Sequence, residues 1–141
     1  MTRIDFYTNA ASKDDVARKL IVKAFKAKQY VFVYTQDHHQ SRALDEYLWT
    51  SPQLSFLPHV LCGHPLAAKS PVIIGDDPKI AHRTDVLLNI GVDIPDSFPR
   101  FERLLEIVTE ELDDKELARG RFRYYKERGY SLEVHDLTTL R

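Results

Sequence analysis

Cys62 is the only cysteine among 141 residues. A lone thiol cannot close an internal disulfide, so packing alone must hold the chain, and a reducing compartment is expected. Glycine is scarce as well, with five residues at Gly63, Gly75, Gly91, Gly120 and Gly129. No two are close enough to build a phosphate-cradling loop of the G-x-G-x-x-G or G-x-x-x-x-G-K type. Charge of one sign is lacking, because 20 Lys and Arg face 21 Asp and Glu for a formal net charge of −1. A chain so balanced does not coat nucleic acid or an anionic membrane through its overall charge, although a local basic patch stays open. No stretch approaches the ~20 apolar residues that span a bilayer. The run from Met1 to Tyr7 carries no apolar leader, so a soluble cytoplasmic protein is expected. What the chain does have is 43% hydrophobic and 29% charged residues, enough for a core and too apolar for disorder. There is no repeat, low-complexity tract or linker, and residues 1–141 are expected to form a single domain.

Hydrophobic spacing predicts alternating strands and helices. Ile4, Phe6 and Thr8 alternate as a short strand. Ser12 offers an N-cap to a helix whose spacing joins Val16, Leu20, Ile21, Ala24 and Phe25. Tyr30 to Thr35 is a continuous β-branched and aromatic run, suited to a buried parallel strand. A second helix, about His38 to Thr50, sets Leu44, Tyr47 and Leu48 on one face. Val72 to Gly75 and Val86 to Gly91 read as two more buried strands. Phe98 to Val108 fits either a helix or a strand. Asp113 and Asp114 open a helix that runs to about Arg128 and stops at Gly129. Tyr130, Leu132 and Val134 alternate as a last strand. The expected fold class is therefore α/β, with a parallel or mixed sheet covered by helices.

Most of the reactive side chains have ordinary readings. His59, Cys62 and His64 lie close in sequence, but a structural zinc site needs a second ligand pair, and none is evident. Cys62 lacks an identifiable base and orienting partner. His38 and His39 fit the solvated start of a helix, and Asp76-Asp77 before Pro78 fit a turn. No nucleophile elbow or Walker loop is present. No metal, cofactor or catalytic residue is expected.

Two constellations stand apart. Trp49, the only tryptophan, points away from the core face of its helix and precedes Leu54, Phe56 and Leu57 in a Pro-bounded loop. This is either an apolar surface patch that anchors a protein partner or a satellite core under a folded-back loop. The second constellation is the helix after Asp113. Lys115, Arg119, Arg123 and Lys126 follow i, i+4, i+8 and i+11 spacing, so they share a face, with Phe122 at its border. A solvated charged face is the ordinary explanation of such a stripe. These four cations nevertheless lack interleaved acids, and a basic stripe beside an apolar wall suits a peptide ending in a carboxylate.

The chain resembles the chi subunit family of bacterial DNA polymerase III. The resemblance covers nearly the whole chain and rests on Asp5-Phe6-Tyr7, on Leu44-Asp45-Glu46-Tyr47-Leu48-Trp49 followed by Ser55-Phe56-Leu57-Pro58-His59, on Arg83-Thr84-Asp85-Val86-Leu87-Leu88-Asn89, and on Leu117-Ala118-Arg119-Gly120-Arg121-Phe122-Arg123 running into Gly129-Tyr130. It implies a three-layer α/β/α, Rossmann-like fold with a mostly parallel sheet and no phosphate loop. It further implies a non-catalytic replication adaptor without cofactors, which links the clamp loader to single-stranded-DNA-binding protein and meets DNA only indirectly. The family binds the acidic C-terminal tail of that protein, which ends in Ile-Pro-Phe. By motif, tail binding falls on Val108, Lys115, Arg119 and Phe122, with Arg123 on the same stripe. Contact with the clamp-loader psi subunit, where one exists, falls on Trp49 and Phe56. The family often has Tyr where this chain has Phe122, which removes a phenolic hydrogen bond and keeps the apolar wall. The rival readings are an enzyme on a degenerate nucleotide-binding fold and a nucleic-acid-binding module that uses the basic helix. Nucleotide binding tested by calorimetry separates the first from the adaptor reading, which expects none, and the balanced charge and short stripe weigh against the second.

Overall fold

A computed structural model of the chain describes residues 1–50, 59–61 and 70–138. The first strand, β1 (Arg3–Ala10), leads into α1 (Lys13–Lys26). The Ser12 hydroxyl caps α1 by accepting the Asp15 backbone N–H at 3.2 Å, and acids occupy the helix's first turn. Next come β2 (Val31–Tyr34), α2 (His38–Thr50), β3 (His59–Leu61), β4 (Val72–Gly75) and β5 (Val86–Asn89). The ambiguous stretch divides into a short 3-10 turn, Phe98–Arg100, and a strand, β6 (Arg103–Thr109). The chain then forms α3 (Leu112–Glu127) and β7 (Ser131–Asp136).

The strands make one sheet in the order β3-β4-β2-β5-β6-β1-β7, and every pairing is parallel. The expected three-layer architecture is present, with a sheet wholly rather than mostly parallel. Side chains alternate across it. Val31, Val33, Val72, Ile74, Leu88, Leu105 and Ile107 face α1 and α2, whose Ala17, Leu20, Ile21, Leu44 and Leu48 complete that core. Phe32, Leu87, Leu104, Ile4 and Phe6 face the other way, toward Ala118 and Tyr125 of α3 and toward Phe98 and Phe101. Phe98 and Phe101, which suited a helix by spacing, thus serve as core plugs just ahead of β6. Phe25 leaves the expected apolar face of α1 and is exposed.

Two turns match their residues. Asp77 caps the Pro78–Ile80 turn by accepting the Lys79 N–H at 3.1 Å. Gly129 follows α3 at φ +81°, a backbone conformation that costs glycine little and other residues much. The short strand β3 was not expected from the sequence. It has three residues and too little pattern to register as a period.

Candidate binding groove

The position of α3 is fixed before any ligand is considered. Its first turn carries Asp113 and Asp114, favourable at a helix N-terminus. Asp114 also accepts the Thr109 N–H at 2.7 Å and the Thr109 hydroxyl at 3.0 Å, and it pairs with Lys13 of α1 at 3.3 Å. These bonds clamp the start of α3 to the end of β6. Burial alone would raise the Asp114 carboxyl, but the Thr109 and Lys13 contacts outweigh it and hold it below the usual aspartate range.

Rotation about the helix axis is set by a buried polar cluster. Glu106, fully enclosed on β6, accepts from Arg121 Nε at 3.1 Å, from the Tyr125 hydroxyl at 2.6 Å and from Asn89 Nδ2 at 3.1 Å. Burial pushes Glu106 above the ordinary glutamate range against the pull of Arg121 and these donors, and the same burial lifts the Tyr125 phenol. Arg121 also donates to the Val92 carbonyl at 2.9 Å. With Ala118, Arg121 and Tyr125 turned inward, helical geometry carries Lys115, Arg119 and Phe122 to the flank of α3 that faces β1 and β7.

There they line a groove of about 200 Å³. Phe6, Val108, Ala118, Phe122 and Val134 supply apolar surface, while Lys115 and Arg119 stand beside it. The Phe122 ring meets Phe6 edge-on, with centroids 5.3 Å apart. Thr8 and Asn9 also line it. The β1–β6 register shifts between Tyr7 and Ala10, where Asn9 adopts φ +60°, a region that asparagine tolerates better than most residues. Asn9 then donates to Asp136 Oδ1 at 3.0 Å, tying β1 to the end of β7. The Asn9 and Thr138 hydrogen bonds, with a smaller pull from the Lys115 charge, hold the Asp136 carboxyl below the usual aspartate range. Arg119 is exposed and makes no ion pair or side-chain hydrogen bond among the described residues.

Of the residues singled out on α3 and β6, Val108, Lys115, Arg119 and Phe122 converge on this groove. Arg123 is exposed and is not among the lining residues. Phe6, Thr8, Asn9, Ala118 and Val134 were missed as lining. β1 had an apolar strand pattern, yet no sequence signal says that β1 sits between β6 and β7. Glu106 and Arg121 had a readable signal, since an acid inside Leu104-Leu105-Glu106-Ile107-Val108 requires a buried partner.

Trp49 lies at the end of α2, 50% exposed, with one ring face against the imidazole of His59 at 4.1 Å between centroids. It is therefore outward-facing and braced from behind. Phe56, Cys62 and His64 lie outside the described residues. Among the described residues, one set of His and carboxylate atoms is close enough to share a cation: Asp5, Glu133 and His135. Asp5 there already accepts from Arg103 at 2.9 Å and binds His135 at 3.0 Å, so the guanidinium supplies its counter-charge. No described helix is long and apolar enough to cross a membrane.

Comparison with known proteins identifies the family. Residues 1–133 match the family model described as DNA polymerase III chi subunit, HolC. The chain is similar to the DNA polymerase III subunit chi of Pseudomonas aeruginosa, 36% identical over 97% of this chain and 98% of that one. It is also similar to the Escherichia coli protein of that name, 29% identical over 82% of this chain and 80% of that one. The Haemophilus influenzae chi subunit is 24% identical over 88% of this chain and 87% of its own length. The chain belongs to the DNA polymerase III chi subunit family, a family of accessory, non-catalytic replication subunits.

Proposed function

We propose that this chain is a single-domain cytoplasmic adaptor that binds the acidic C-terminal tail of single-stranded-DNA-binding protein in the α3 groove. Its contact with DNA is then indirect, through that protein. The observation that carries the reading is an aromatic-walled apolar groove with two cations beside it, one of them, Arg119, free of ion pairs among the described residues. A groove of about 200 Å³ exceeds the roughly 150 Å³ that encloses a benzene ring in an apolar protein cavity. The terminal phenylalanine ring of the tail fits against Phe6, Val108 and Phe122. Its carboxylate reaches Arg119, whose planar fork can give two parallel hydrogen bonds. Lys115, one helical turn away, meets the acids upstream, and Arg123 adds longer-range attraction from outside the lining.

The same reading gives Trp49, with Phe56, the contact to the clamp loader through its psi subunit or an equivalent protein. A half-exposed tryptophan held on a buried imidazole is a pre-positioned anchor of the kind that dominates protein interfaces. Calorimetry tests the groove with an acidic peptide ending in Ile-Pro-Phe and with the same peptide carrying a C-terminal amide. The free acid should bind and the amide should bind far more weakly. Equal binding of the two would move the carboxylate away from Arg119 and defeat the reading.

A further inference from the structure

The seven strands among the described residues are all parallel, so their carboxyl ends lie along one rim of the sheet. Open parallel sheets bind ligands outside those ends. The groove beside α3 uses part of this rim, above β1 and β6. A second, separate crevice of about 350 Å³ opens above β2, β4 and β5. One wall carries Asp76 and Asp77, the other Asp93 and Asp96, and Tyr34 lies between them. Among the described residues, Lys79 is the one cation of the lining. The four carboxylates of the described lining would repel a phosphate group.

Ser97 also lines this crevice. It is only 9% exposed, and its hydroxyl has no hydrogen-bond partner among the described residues. Buried hydroxyls are normally satisfied, so this one is a polar group awaiting a partner. Both walls are held from behind. Arg100 donates to the Lys79 carbonyl at 2.8 Å and to the Ala81 carbonyl at 3.1 Å. On the other side, Gln36 donates to Asp93 Oδ2 at 2.8 Å, and Asn89, itself bound to Glu106, donates to the Asp93 carbonyl at 3.0 Å. Burial, then the charges of Asp93, Asp96 and Asp76, hold the Tyr34 phenol above its ordinary range.

The acids do not gather as a metal site. Among the described residues, Asp5, Glu133 and His135 form the only set of three such ligand atoms within 4.8 Å of one another, and none of them belongs to this crevice. The carboxylates are spread instead around a space sized for an organic cation. A guanidinium suits it best, because it is planar, pairs with carboxylates from its edge and stacks on an aromatic ring. From the two acidic walls, the Tyr34 ring and the unsatisfied Ser97 hydroxyl, we infer that this crevice is a second docking site, one that takes an arginine-bearing peptide segment of a protein partner. The site is separate from the α3 groove, so one molecule can hold an acidic and a basic segment together.

The test uses the full chain and a blocked Arg-Gly-Arg peptide followed by amide chemical shifts, with spermidine as a second arm. The peptide should saturate at one per chain, with shifts concentrated at Tyr34 and from Asp93 to Ser97. Asp96 has no side-chain partner among the described residues, so Asp96→Asn should leave the melting temperature unchanged. It should weaken the peptide about tenfold, the loss expected for one charged hydrogen bond. Ser97→Ala should weaken it by a smaller factor, and Glu133→Gln, on β7, should not change it. Three results would overturn the inference: no saturable binding, binding unaffected by Asp96→Asn, or spermidine binding as tightly as the peptide. The last would reduce the crevice to a patch of negative field.

Discussion

At the scale of single residues, the groove's chemistry turns on Arg119. It lies one helical turn from Lys115 and from Arg123, and next to Phe122 around the helix. If it meets the tail's terminal carboxylate with two hydrogen bonds, Arg119→Ala should cost more binding than Lys115→Ala or Arg123→Ala, about 2 kcal/mol or more. Arg119→Lys should restore part of that loss, because an ammonium cannot copy the fork. Deleting the last phenylalanine of the tail should be as damaging, and combining the two changes should add little more. A double-mutant cycle by calorimetry measures this, and additive losses would separate Arg119 from the terminal residue. Gly120 makes a different point about the same helix. It is exposed in the helix interior, and a Cβ added there meets nothing within 4 Å. Gly120→Ala should therefore stabilise the fold by about 0.5–1 kcal/mol, read as a small rise in melting temperature. An unchanged or lower melting temperature would mean that the backbone at this position gains nothing from a better helix former.

At the scale of elements, α3 serves the groove only because a buried cluster fixes its rotation. Arg121→Ala would leave Glu106 enclosed without its cation, a change that costs about 3–5 kcal/mol. Tyr125→Phe removes one donor and should cost nearer 1 kcal/mol. Thermal melts of the two variants should differ in that order, and equal small losses would mean that water reaches Glu106. Trp49→Ala belongs with α2. Its ring is half exposed and braced on His59, so the substitution should shift the melting temperature by only a few degrees while removing clamp-loader association in a pull-down. A large thermal loss would make Trp49 a packing residue. The elements themselves were largely legible. Ser12, the runs Val72 to Gly75 and Val86 to Asn89, the Asp113-Asp114 start and the Gly129 stop each have a local cause that the sequence displays. Phe98 to Val108 was ambiguous because its aromatics pack at a turn while its strand is buried on both faces, so neither period is clean. Strand order was illegible from periodicity, because β1 pairs with strands about a hundred residues later. For that reason the basic stripe was visible but Phe6, Thr8 and Val134 across the groove were not.

The whole molecule is near neutral in total and polarised in detail, with a formal net charge of −1. Lys115 and Arg119 flank the groove beside α3, and four aspartates surround the crevice above β2, β4 and β5. If the groove takes an acidic tail, that tail is drawn to the first and repelled by the second, so its approach would be steered even though net charge offers no attraction. Acid weakens the fold through a different set of charges. Burial alone would raise Asp5, but hydrogen bonds from His135 and Arg103 outweigh it and hold its carboxyl below the usual range, as Thr109 and Lys13 do for Asp114. A carboxylate lowered in the folded state stabilises above its unfolded pKa and loses that contribution as pH falls through the folded value. The melting temperature should therefore drop below about pH 4, and Asp5→Asn should flatten that drop. A flat wild-type profile would mean that these carboxyls are not held down by folding. Salt separates the two kinds of contact in the groove. If Lys115 and Arg119 hold the tail by charge, its affinity should fall as ionic strength rises, because the pairs lie near solvent and are screened. Phe122→Ala should lower the affinity at every salt concentration with the slope nearly unchanged, since it removes apolar contact and no charge. Lys115→Ala should instead reduce the slope. Titrations of the tail peptide across a salt series read both quantities. A wild-type affinity indifferent to salt would remove the cations from the contact and leave the groove as an apolar slot alone.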